Sequence, residues 1–65
     1  MFVIVNDQAH SFPEPRTLAE LLRLLSPAAP FAVARNSEVV PQGSYEDCRI
    51  QPGDRVDILH PAAGG

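Results

Sequence analysis

Only one stretch of this 65-residue chain carries a sustained helical period, and a lone amphipathic helix narrows the folds open to it. Thr17-Leu18-Ala19-Glu20 forms a capping box, in which the Thr17 hydroxyl accepts from the Glu20 amide and the Glu20 side chain reaches back. Leu18, Leu21, Leu22 and Leu25 follow at i, i+3, i+4 and i+7, making one apolar stripe with Glu20 and Arg23 outside it. Ser26-Pro27 ends the helix, because proline disfavours the α region in the residue before it. One stripe needs one partner layer, and the rest of the chain reads as strands.

Phe2 to Val5 is a β-branched and aromatic run, Asn6-Asp7 is turn chemistry, and Gln8 to Phe12 returns until Pro13 and Pro15 remove two backbone donors. Phe31 to Arg35 and Glu38-Val39-Val40 flank the turn residues Asn36-Ser37, giving a second hairpin that Pro41 stops. Ser44 to Asp47 reads as a one-turn helix capped by Ser44. Gln51-Pro52-Gly53-Asp54 fits a type II turn, with proline at the first central position and glycine taking the positive φ of the second. Arg55 to His60 is the last strand, Val56 and Ile58 alternating with Arg55 and Asp57. Hairpin, helix, hairpin, short turn and strand make an α+β chain of β-grasp layout. It predicts a mixed sheet of about five strands covered on one face by one main helix, with the last strand parallel to the first. Residues 1–60 form the domain and 61–65 a flexible diglycine tail.

If Val3, Val5, Val56 and Ile58 face the helix, alternation sends Phe2, Ile4 and Leu59 to the other side. There they form an apolar patch beside the tail exit, where a partner would dock.

Charge and cysteine use exclude several classes. The net charge of −3 comes from scattered acids rather than a block and argues against nucleic-acid binding, which requires a basic face. No apolar run is long enough for a membrane span. Met1 to Val5 lacks the basic start and the length of a secretion signal. A single cysteine, Cys48, cannot form an internal disulfide, so a cytoplasmic location is expected. Its acidic neighbours Glu46 and Asp47 disfavour a reactive thiolate, and Cys48 reads as a packing residue. His10 and His60 lack the close-spaced cluster a metal needs, and no glycine-rich phosphate loop follows a strand. Ser44 and the histidines have no oriented acid or oxyanion hole with which to make a triad. The chain is therefore not expected to be an enzyme acting alone, nor to bind a metal or a cofactor stably.

The sequence closes on Ala62-Ala63-Gly64-Gly65. Two terminal glycines can enter a channel too narrow for other residues, and an ionised α-carboxylate is a poor electrophile that another protein must activate. A frayed end is the alternative reading of the same residues.

With layout and tail together, the chain resembles the ubiquitin-like sulfur carrier proteins, most closely the ThiS type of thiamin biosynthesis. The matching residues are Asn6-Asp7-Gln8, Thr17 with Leu21-Leu22, Val33-Ala34-Arg35-Asn36, Glu38-Val39-Val40-Pro41, Gly53-Asp54-Arg55-Val56 and Ala63-Gly64-Gly65. Ser37, where the family often has glycine, and His60-Pro61, in place of a more aliphatic approach to the tail, depart from the pattern. The resemblance implies that an E1-like adenylyltransferase of ThiF type uses ATP to convert the Gly65 carboxylate to an acyl-adenylate. Sulfur from a cysteine-desulfurase persulfide relay then displaces AMP, leaving a thiocarboxylate that a thiazole synthase of ThiG type consumes. Gly65 is then the covalent site, and Gly64 and Ala63 are recognised in the partner's channel. A small subunit of molybdopterin synthase of MoaD type shares this tail, though usually on a longer chain. A binding module that uses only its sheet is the alternative of a different class.

Overall fold

In a computed structural model, described here for residues 1–61, the chain forms one five-stranded mixed sheet crossed on one face by one helix. The order along the chain is β1 (Phe2–Val5), β2 (Gln8–Ser11), α1 (Leu18–Leu25), β3 (Ala32–Arg35), β4 (Glu38–Val40), a 3-10 turn (Gln42–Ser44) and β5 (Arg55–Leu59). Across the sheet the order is β2-β1-β5-β3-β4. β5 therefore lies at the centre, parallel to β1 with Val5 opposite Val56 and antiparallel to β3 with Val33 opposite Ile58.

The core follows from the two periodicities. Leu18 and Leu21 are fully buried and Leu22 nearly so, meeting Val3, Val5, Val33, Val56 and Ile58 from the sheet and Ile50 from the crossover. Leu25 closes the stripe as a partly buried neighbour. Both hairpins turn through two consecutive residues of positive φ, Asn6-Asp7 and Asn36-Ser37, the mirror-image turn whose twist suits paired strands. Gly53 takes φ +85° in the expected turn, and the Asp54 amide closes it on the Gln51 carbonyl at 3.1 Å.

Two local readings change. The Thr17 hydroxyl does accept from the Glu20 amide at 3.3 Å, but the Glu20 carboxylate accepts from the Arg16 amide at 2.5 Å, one residue before the cap. The amide of Leu18 is instead held by the Cys48 carbonyl and that of Ala19 by the Tyr45 carbonyl, so the crossover caps the helix start. The one-turn helix expected at Ser44 to Asp47 lies earlier, over Gln42–Ser44, with Ser44 as its last residue rather than its cap. Pro41 begins it, its carbonyl accepting from the Ser44 amide at 2.9 Å. The Asp47 amide donates to the Ser44 backbone carbonyl and leaves the hydroxyl out of the turn.

Candidate functional site

The strand that leads to the C-terminal residues is fixed first at its start. Asp54, buried at the head of β5, accepts on Oδ2 from the Gln51 amide at 2.9 Å and from Arg35 Nε at 3.0 Å, with Arg35 Nη2 also 3.0 Å away. Its Oδ1 accepts from the Asn36 amide group at 3.3 Å. Burial by itself pushes the Asp54 carboxyl up, but the Gln51 amide, Arg35 and Asn36 together outweigh it and hold the group below its ordinary value.

Each hairpin turn also lends an asparagine to β5. Asn36 Oδ1 accepts from the Arg55 amide at 2.9 Å, and Asn6 Oδ1 accepts from the Ile58 amide at 2.8 Å. The left-handed backbone that suits asparagine in a hairpin turn thus turns its side chain onto the central strand. Arg55 makes an exposed ion pair with Asp7.

Beyond Ile58 the strand reaches its exit. Leu59 is 50% exposed on the face away from the helix, opposite Ala32 of β3. His60 follows, exposed and just past the strand, and its Nε2 lies 3.0 Å from the Ala28 carbonyl in the connector between α1 and β3. Pro61 is exposed and is the last described residue, so Ala63, Gly64 and Gly65 lie outside the described residues.

Phe2, Ile4 and Leu59 all fall on the outward face, but the register does not bring them into one patch. The Gly53 amide donates to the Phe2 carbonyl, which sets Phe2 level with Gly53, two residues before β5, and Leu59 lies six residues further along. At strand rise this is roughly 20 Å. Arg55, opposite Ile4, and Asp57 lie between them on the same face. The apolar residues that accompany Leu59 toward the exit are Ala32, opposite it, and in the neighbouring row the buried Ala34 with Val39, which is 69% exposed. Sequence reasoning missed these three. Alternation places Val39 outward once β4 is assigned, but only the pairing of β3 with both β4 and β5 puts it near Leu59.

Cys48 is half-buried against the core, as a packing residue would be, and its carbonyl serves the helix start. His10 is exposed on β2, its ring centroid 6.0 Å from that of Phe12. Among the described residues no three His, Cys, Asp or Glu side chains gather as a metal-binding group, and no helix is long and apolar enough to cross a membrane.

Known proteins resemble this chain in sequence and in fold. The sulfur carrier protein ThiS of Escherichia coli strain K12 is 33% identical over 66 aligned residues covering all of both chains. A thiazole synthase of Paramagnetospirillum magneticum is 32% identical over all of this chain, which spans only 20% of that protein's length. The crystal structure of the thiamine biosynthesis protein ThiS of Geobacter metallireducens superposes with a TM-score of 0.85 at 26% identity, covering both chains completely. Its solution structure gives a TM-score of 0.79, covering all of this chain and 88% of the other. The ThiS family profile matches residues 3–65. A β-grasp sheet whose central strand runs out toward a diglycine end, matched over nearly its whole length by that profile, places this chain in the ThiS family.

Proposed function

We propose that the chain carries sulfur for thiazole formation in thiamin biosynthesis as a C-terminal thiocarboxylate on Gly65, acting in the cytoplasm as a protein co-substrate rather than a catalyst. The observation that carries this reading is the family match, which runs through to Gly65. An adenylyltransferase of ThiF type transfers AMP from ATP to the Gly65 carboxylate, releasing pyrophosphate and turning a poor electrophile into a good one. The outer sulfur of a desulfurase-derived persulfide displaces AMP to give an acyl disulfide, a second thiol cleaves its S–S bond to release the thiocarboxylate and a disulfide, and a thiazole synthase of ThiG type accepts the sulfur. That a protein named thiazole synthase contains a segment 32% identical to this entire chain supports the last partner.

Fully extended, residues 61–65 span roughly 17 Å, enough to pass the carboxyl group into another protein while the globular body stays outside. Gly64 allows close approach of the partner's backbone, and Ala63 with Pro61 lowers the entropy lost on threading. Docking uses the outward sheet face, with Leu59, Ala32 and Val39 toward the exit and Phe2 with Ile4 at the far end.

Incubation with a ThiF-type adenylyltransferase, ATP and a sulfur source is expected to replace one carboxylate oxygen by sulfur, read by intact-protein mass spectrometry and mapped to the C-terminal peptide. Cys48→Ser should still load. Deletion of Gly65, or addition of one residue after it, should abolish loading. Sulfur found on Cys48, or a folded Cys48→Ser variant that cannot be loaded, overturns the mechanism. An added residue without effect would point to a module that uses only its sheet.

A further inference from the structure

β5 is held along all five of its residues by paired strands and by the asparagines of both hairpins, whereas His60 and Pro61 lie outside the sheet. A chain leaving a sheet without an anchor samples a cone of directions, and a partner that admits one of them sees its affinity reduced by the fraction so aligned. Among the described residues one side chain, that of His60, anchors the exit. His60 is the first residue past β5, and its Nε2 meets the Ala28 carbonyl at 3.0 Å. A carbonyl only accepts, so Nε2 carries the proton and donates. Ala28 lies between the C-cap Ser26, whose amide is fixed on the Leu22 carbonyl at 2.8 Å, and Ala32, which is paired with Leu59. The acceptor is thus attached at one side to the helix end and at the other to the strand beside the exit. Pro61 restricts His60 further to extended backbone.

We propose that His60 is a positioning residue that ties the root of the C-terminal arm to the α1–β3 connector through its hydrogen bond to Ala28, so that a partner's channel receives the arm in a fixed direction relative to the docked sheet. The inference rests on the carrier reading, since only a chain whose terminus enters another protein benefits from an aimed root. His60 touches no reacting atom, so its loss acts on capture of the arm and not on the chemical step.

The test is carrier-dependent ATP–pyrophosphate exchange by a ThiF-type adenylyltransferase with the full chain and its His60→Ala, His60→Gln and His60→Asn variants. An exposed hydrogen bond of ordinary strength corresponds to a rise of about two- to tenfold in KM for the carrier in His60→Ala, with kcat unchanged. Gln places an amide nitrogen near the position of Nε2 and should restore the wild-type KM, whereas Asn reaches only as far as Nδ1 and should behave like Ala. Long-range proton–nitrogen NMR spectra of the neutral imidazole should show the Nε2–H tautomer. A wild-type KM in His60→Ala, equal behaviour of Gln and Asn, or an Nδ1–H tautomer overturns the role of His60 alone. Absence of exchange with the wild-type chain overturns the carrier reading and this proposal with it.

Discussion

The two ends of β5 are built on different principles. At its start, Asp54 collects the Gln51 amide, Arg35 and Asn36 around one buried carboxylate, and Val56 beside it is fully buried. At its finish, Leu59 is half exposed and His60 has one exposed contact. The first arrangement is over-determined, since several elements must move together for Asp54 to lose its partners. The second rests, among the described residues, on the single bond from His60 to the Ala28 carbonyl. Stability is concentrated where the strand enters the sheet, and accessibility where it leaves.

The sharpest way to break this contrast is in the side chains themselves. Leu21→Ala, in the fully buried stripe, is expected to cost about 2–5 kcal/mol in urea denaturation. Leu59→Asp should stay within about 0.5 kcal/mol of the parent while weakening binding to the adenylyltransferase. Equal losses of stability at the two sites would erase the distinction.

Asp54→Asn tests the entry network itself and is expected to cost about 1–3 kcal/mol, because it strips the charge from a buried, hydrogen-bonded carboxylate. The same group sets an acid response. Its folded pKa lies below the ordinary value of 3.8 taken for the unfolded chain, so its contribution is fully present above that value. It disappears as pH falls through the lower, folded value. Denaturation curves measured down through this acid range should be steeper in pH for the parent than for Asp54→Asn. Parallel slopes would show that Asp54 is not the responsible acid.

The smallest effect belongs to the exposed pair of Arg55 and Asp7. Asp7→Asn keeps a residue that tolerates the positive φ of the turn and should change stability by less than about 1 kcal/mol. A larger loss would mean that the entry network extends across the outward face.

What the sequence made legible was whatever rests on neighbouring residues. The leucine stripe, both Asn-led hairpin turns and the Pro52-Gly53 turn follow from local dihedral preferences and periodicity. What it hid depends on register between distant segments. Alternation puts Phe2 and Leu59 on one face, but only the parallel pairing of Ile4 with Arg55 shows how far apart along it they lie. Asp54 reads as a turn residue, and its partner Arg35 is 19 positions away. Glu20 misled by one residue because Thr17 pairs with Arg49 in a bridge that no local motif announces. The diglycine was legible as part of a family pattern, which the profile match through residue 65 bears out, while residues 62–65 lie outside the described structure.

The central position of β5 also governs how the molecule assembles. Each hairpin can form from neighbours in the chain, but β1 and β3 never pair with one another; both wait for a strand whose residues lie some 50 positions from β1. Until that strand is inserted, the two hairpins present open edges, and the helix has only part of its floor. Contacts of such long range slow the search for the native state, and open edges invite pairing between molecules. Insertion of one five-residue segment therefore joins both halves of the sheet, completes the surface beneath the helix and withdraws those edges in the same event.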